Sequence, residues 1–534
     1  DVQKGEQMIF KFHAEHLKAN LSPHYKSSNL LKSLCVGIAI IFQANFVISA
    51  HAADYDLIIE NGRVMDPETG LDAIRNVGIK DGVITAITRK NLKGENKIDA
   101  AGHVVAPGFI DLQAHGQHLF GQQLQVQDGV TTALEMEAGA YPIKRFLSRR
   151  EGQSLIHYGA TVNHVCLRAK IQLDYTCTDL IDEVNGDPEV LAANEAISDA
   201  FDAGTFESLT RDQISTMVGM IEKEVEDGAL GVGLLLEYTP GAGRDEIFYI
   251  FEEAGKYGAP IFVHVRRRPL DDAPGVPIAV VQEVIANAAV TGAPLQIVHI
   301  VSTGLKDTPV IVDMVGMAQE KGLDITAEQY PYTAGGNVIG TNMLSEGWRK
   351  RFDADYSDII WSDTGERLTE ETFHKLRKEQ PDGAIILDVI PEDAVNYAMA
   401  HPAVSIASDG MPWRTGQEHP RGTGTFARVL GKYVREDQVL DLMTALRKMS
   451  LMPAQRMEKF APIFEKKGRI QEGAHADITI FDPETVIDRA TFSEPTLTSI
   501  GIPHVLVNGV FVVRDGELVE NVYPGQGLTN KLAN

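Results

Sequence analysis

The chain is 534 residues long, with 44% hydrophobic and 23% charged side chains, so it can bury a large core and exceeds what one ordinary domain holds. Its 49 basic side chains face 74 acidic ones, a formal net charge of −25. That balance argues against nucleic acid or an anionic membrane surface as partner, since both select a basic patch, and an anionic substrate would need a local basic pocket.

The first 52 residues differ from the rest. Lys32 precedes the apolar run from Ser33 to Phe42, and Ala50-His51-Ala52 has the small-x-small form of a signal peptidase site. A basic flank, an apolar core too short to span a bilayer comfortably and that tripeptide predict a secretory signal cut near Ala52, with an uncleaved anchor as the alternative. The mature protein is expected to be secreted or periplasmic, without stable membrane association. Because Asp1 precedes Met8, translation is expected to start at Met8 or upstream of Asp1.

From residue 54 to 105 short alternating runs flank Asn61-Gly62 and Asp81-Gly82, which are hairpin signals. The C-terminal part repeats the style around Asn508-Gly509. One small β-sandwich built from residues 54–105 and 461–534 is expected. Residues 106–460 alternate apolar strands with helical stretches, the strands expected at 108–115, 130–137, 160–166, 229–235, 260–264, 295–299, 323–328 and 404–409. Eight strands with helices between them predict an α/β fold of the (β/α)8 barrel type. Gln213–Glu226 has the periodicity of a helix, with Ile214, Met217, Val218 and Ile221 on one face. Residues 342–401 read as an insert with a helix at Glu370–Gln380. Cys166 and Cys177, with ten residues between them, match no metal or redox motif and read as unpaired, with a disulfide in an oxidising compartment as the alternative.

Chemistry gathers at the strand ends. His264 and His299 each close an apolar run, 35 residues apart, about one strand–helix–strand unit. His115 and Asp409 close two further strands. In a barrel these carboxyl ends share one mouth, and imidazoles with a carboxylate are what a hydrolytic metal ion needs. A two-residue strand period puts Glu135 and Glu137 on one side, and two buried carboxylates call for a cation or a shared proton. Glu137, nearer the strand end, is the expected ligand and Glu135 the alternative. Glu137, His264 and His299 would hold one metal and leave a position for water.

Several stretches resemble the amidohydrolase superfamily, in its N-acyl-D-amino-acid deacylase (D-aminoacylase) branch. They are Ala106-Pro-Gly-Phe-Ile-Asp111, Leu236-Glu-Tyr-Thr-Pro-Gly241, Gln329-Tyr-Pro-Tyr-Thr-Ala-Gly335, Ala407-Ser-Asp-Gly410, His419-Pro-Arg421 and Gly468-Arg-Ile470 with Ala476-Asp477. Two departures stand out. The superfamily's first strand ends His-x-His, whereas here His115-Gly116-Gln117 is read with an amide in second place. Ala138 falls where the branch carries a cysteine, with Glu137 beside it.

The resemblance implies zinc-dependent hydrolysis of the amide of an N-acyl-D-amino acid, a small-molecule substrate of which N-acyl-D-glutamate is one form. One zinc ion is expected, and a second site with His115, Asp409 and Gln117 is expected to be empty or weak. Asp409 is implied as the proton carrier, His115 as its orienter and Tyr238 as an oxyanion donor. Arg266, Arg421, Tyr330 and Tyr332 are the expected substrate contacts, with Arg267, Arg268 and Arg244 as further cations. Val301 stands where the branch places a lysine. A cyclic amidase of dihydroorotase or hydantoinase type is the alternative enzyme, and a barrel that binds without catalysis the alternative outside enzymes.

Overall fold

Strands buried on both faces have to close into a barrel or be sandwiched by helices, and the computed structural model shows both. It describes residues 54–533 except 116, 176, 178–203, 267–275 and 413–418. The predicted signal and Arg267 and Arg268 lie outside the described residues. Five strands come first: β1 (Tyr55–Asp66), β2 (Leu71–Lys80), β3 (Val83–Thr88), β4 (Gly94–Asp99) and β5 (Val104–Pro107). The barrel follows with β6 (Phe109–Asp111), β7 (Val130–Ala140), β8 (His157–Asn163), β9 (Val232–Leu235), β10 (Ile261–His264), β11 (Leu295–Ile297) and β12 (Ile325–Gln329). Then come β13 (Gly335–Val338), β14 (Ile359–Trp361), β15 (Glu366–Arg367), β16 (Ala384–Leu387) and β17 (Val404–Ile406), which completes the barrel. The last strands are β18 (Ile478–Phe481), β19 (His504–Val507), β20 (Val510–Arg514) and β21 (Glu517–Leu518).

β6 to β12 and β17 pair in parallel as one eight-stranded sheet. Its two edges meet where Ala114 bridges Gly410 and the His115 amide donates to the Gly410 carbonyl at 2.8 Å. The α/β barrel is therefore closed, and its carboxyl ends surround one mouth. Helix Arg211–Glu226 shows how the outer layer is specified. Thr210 and Gln213 form a capping box at its start, and Ile214, Met217 and Ile221 are buried at helical spacing.

β8 starts and stops three residues earlier than the sequence predicts. The apolar run continues through Val165, Cys166 and Leu167, but Asn163 accepts from the Cys166 amide at 2.9 Å and opens helix His164–Leu173. Cys166 and Cys177 form a disulfide, against the reading of two free thiols. The helix ends at Leu173 and Asp174 takes a left-handed conformation, turning the chain so that the two Cα atoms come to 5.7 Å.

Strands from both chain ends join in one nine-stranded sheet through the antiparallel pairing of β5 with β18. Leu57, Ile59, Val77, Ile79, Ile478 and Leu506 form its apolar core. β13, β16, β14 and β15 make a third sheet over residues 335–387, beginning seven residues ahead of the predicted insert. Helix Glu370–Glu379 lies within this insert, and helix Glu392–Ala400 leads back to β17.

Asp477 ties the terminal sheet to the barrel. Its buried carboxylate meets His157 Nε2 at 3.1 Å and Lys467 Nζ at 2.7 Å, and accepts the Asn508 amide at 2.8 Å. Burial alone would raise its pKa, but Lys467 and His157 hold it far below the carboxylate range. Removing one partner leaves buried charge uncompensated. We expect Asp477→Ala to lose about 3–5 kcal/mol of unfolding free energy in urea, whereas Asp72→Ala, which frees the exposed Arg63, should change it by about 1 kcal/mol or less.

Candidate active site

The Glu137 carboxylate is the point on which the mouth converges. Its Oε1 lies 2.8 Å from His264 Nδ1 and 3.0 Å from His299 Nε2, and its Oε2 lies 3.0 Å from His115 Nε2. Glu137, His264 and His299, all buried, are close enough to share one ion, and His115, Glu137 and Asp409 form a second such group. Glu135 instead accepts from His115 Nδ1 at 2.9 Å and from the Ala138 amide, so it steers an imidazole.

The outward nitrogens settle what the inward ones can do. Glu237 Oε2 lies 2.9 Å from His264 Nε2 and, with Glu135 on His115 Nδ1, fixes N–H on that side. The Ser302 hydroxyl gives its hydrogen to the His299 carbonyl, so it accepts from His299 Nδ1–H at 2.9 Å. Each neutral imidazole thus turns a lone pair toward Glu137, the tautomer that a metal centre requires. Protonation answers the same demand for positive charge. Burial would depress the His264 imidazolium, but Glu137 and Glu237 together push it up to about 10. Burial opposes charge on His115 too, yet Glu135, Asp409 and Glu137 raise it well above the histidine range. Two imidazoles and a carboxylate with one open side fit a zinc-like cation.

His299 and Asp409 both have left-handed backbones, with φ of 32° and 52°. Such residues are uncommon without glycine and cluster at functional sites. Asp409 is held from two sides, with Oδ1 accepting from Gln113 Nε2 at 3.1 Å and Oδ2 lying 2.8 Å from an Arg421 guanidinium nitrogen. Arg421 is buried, and its guanidinium stacks 4.6 Å over the Tyr330 ring. Tyr238 packs edge-on against His264, and its hydroxyl accepts from Asn337 at 3.0 Å. Burial and the carboxylates of Glu237, Glu137 and Asp409 keep that phenol protonated, well above the usual range.

A cavity of about 500 Å³ opens onto these groups. The insert supplies part of its wall through Asn337, Met343, Phe352, Leu387 and Ile390, and the Cys166–Cys177 disulfide lines it as well. His115, Glu137, Tyr238, His264, Arg266, His299, Tyr330, Asp409 and Arg421 all reach it. Arg266 does so with its guanidinium committed to Glu283 at 2.8 Å and to the Ala242 carbonyl at 2.7 Å. Tyr332 is a correction: it does not line the cavity, being buried between His419 and the Arg428 guanidinium. Arg244 lies exposed beside Glu283.

A second correction concerns the amide in the first-strand motif. Gln117 folds back onto the Ala114 carbonyl at 2.9 Å, and it is Gln113 that reaches Glu137 and Asp409. The pair on the site is therefore Gln113-Ala114-His115. Alternation along the extended chain, which puts 111, 113 and 115 on one face, is the signal that points to it. Glu237 and Ser302 also act here, and neither was expected.

A closed parallel barrel with imidazoles and carboxylates gathered at its carboxyl end is the architecture of a metal-dependent hydrolase. Residues 256–513 match the amidohydrolase family described as Amidohydro_3. N-acyl-D-glutamate deacylase of Alcaligenes xylosoxydans xylosoxydans is 30% identical over 480 residues, covering 86% of this chain and 93% of that one. D-aminoacylase of the same organism is 25% identical, covering 90% and 98%. The crystal structure of N-acyl-D-glutamate deacylase from Bordetella bronchiseptica, complexed with zinc and a phosphonate mimic of the tetrahedral intermediate, superimposes with a TM-score of 0.73 at 25% identity, covering 89% and 99%. The chain belongs to the amidohydrolase family, in the branch of the N-acyl-D-amino-acid deacylases. β9 carries no lysine, the residue the cyclic-amidase alternative needs there.

Outer partners of metal-bound imidazoles are worth about 10–100-fold in affinity. We expect Glu237→Gln and Ser302→Ala each to weaken zinc binding within that range in a chelator competition, with unchanged circular dichroism.

Proposed function

We propose that the protein hydrolyses the amide of N-acyl-D-amino acids to a carboxylate and a D-amino acid, through one metal ion held by Glu137, His264 and His299. The observation that carries this reading is the convergence of those three side chains with Asp409 across the same cavity. The relatives act on N-acyl-D-glutamate and other N-acyl-D-amino acids, which supports the D-enantiomer and an acidic side chain among its substrates. Zinc is the expected ion, and when bound it acidifies water and polarises the scissile carbonyl.

The chain's own groups do the rest. Asp409, at the open side of the ligand set, takes the proton of the attacking water and passes it to the leaving nitrogen. Gln113 and Arg421 keep that carboxylate in place, and His115 stands 3.4 Å from its Oδ1. Tyr238, protonated and against His264, donates to the oxygen that gains charge. Arg421, with Tyr330 under its guanidinium, has one nitrogen on Asp409 and offers its remaining N–H groups to the substrate's carboxylate, in a chain of net charge −25. Arg266 contributes to the same wall, though Glu283 offsets its charge.

Export belongs to the proposal. The signal-like segment at residues 33–52 and the Cys166–Cys177 disulfide both suit an oxidising compartment.

The test is release of D-glutamate from N-acetyl-D-glutamate, compared with its L-enantiomer and with N-acetyl-D-leucine. D-selective turnover that a chelator abolishes and zinc restores is expected. Asp409→Asn should lower kcat/KM by roughly 10²–10⁴-fold. Full activity in that variant, or equal rates on both enantiomers, would overturn the reading.

A further inference from the structure

Gln113 does more than fill space beside the ligands. It is buried, and its Nε2 donates to Glu137 Oε2 at 2.6 Å and to Asp409 Oδ1 at 3.1 Å. His115 Nε2 faces the same two oxygens, at 3.0 Å and 3.4 Å. His115, Glu137 and Asp409 are the second group whose spacing would allow a shared ion. The acceptors that such an ion would use are already taken by the two hydrogens of one amide.

The two carboxylates favour this orientation of the amide, although it leaves Oε1 buried without a hydrogen-bond partner among the described residues. Turned round, Gln113 would set Oε1 against two carboxylate oxygens, repulsive contacts in a buried site. As placed, its partial positive charge lies between two anions, and it offers a cation no lone pair. Asp111 fixes the backbone that delivers it. Its buried carboxylate accepts from the Gln113 amide at 3.1 Å and the Ser408 amide at 2.9 Å, so Gln113 and Asp409 are aligned from one point.

We propose that Gln113 takes the place of a second metal ion, bridging Glu137 and Asp409 so that the centre is built for one ion and Asp409 is positioned without another. The inference rests on the metal reading above, and counting ions separates the two. The mature chain is stripped with chelator and dialysed against excess zinc chloride, and zinc per chain is measured; cobalt(II) absorption gives an independent count. Wild type should stop at one ion per chain. Gln113→His, which brings a lone pair, and Gln113→Glu, which keeps the volume but replaces the donor with an anion, should take up two.

A second ion in either folded variant, with one in wild type, supports the proposal. Two ions in wild type overturn it, as does one ion in both variants. No ion in wild type overturns it together with the metal reading. One ion in wild type and two in Gln113→His without deacylase turnover would leave this inference standing and sink the substrate assignment instead.

Discussion

A carboxylate buried at the mouth of a barrel is costly unless positive or donating groups surround it, and Glu137 is met on all sides by His115, His264, His299 and Gln113. The surrounding groups are set by that requirement. One strand end, at His264, and the segments just past two others, at His115 and His299, supply imidazoles, each oriented from behind by Glu135, Glu237 or Ser302. Burial would favour a protonated carboxyl, yet the nearby imidazoles hold Glu137 well below the ordinary range. The same field that makes the carboxylate tolerable makes it a metal ligand.

The barrel closes at the place where this site is assembled. Asp111, at the end of the first barrel strand, receives the Ser408 amide and hydroxyl just past the last one. Burial pushes its carboxyl up to about 6 despite those donors. One side chain thus completes the barrel and sets the spacing between Gln113, His115 and Asp409. The left-handed backbones of His299 and Asp409 are kept by this surrounding framework, which over-determines them.

Much of this arrangement was readable in the sequence because strand-end positions are local information. His115, His264, His299 and Asp409 each end an apolar run, and the eight barrel strands, four of which lead to these residues, follow from runs of the same kind. What escaped depends on partners far away in the chain. Nothing near Tyr332 tells that its ring turns toward His419 and Arg428 rather than the cavity. The Arg266 guanidinium answers to Glu283 on the following helix. An amide at Gln113, inside an apolar run, resembles ordinary core polarity, whereas the motif counted forward from His115 points to Gln117. The Cys166–Cys177 bridge depends on how the chain turns after Leu173, which spacing alone does not encode.

The shared terminal sheet has a consequence for how the molecule is made. β1 to β5 wait for β18, more than 370 residues later, before their edge is covered. Until the ribosome has delivered that strand, the N-terminal hairpins present an open edge, a geometry that invites pairing with other chains. Contacts of such long sequence separation also form slowly. A nascent chain of this design can pair its barrel strands first, while its terminal sheet stays open at β5 until β18 has been made.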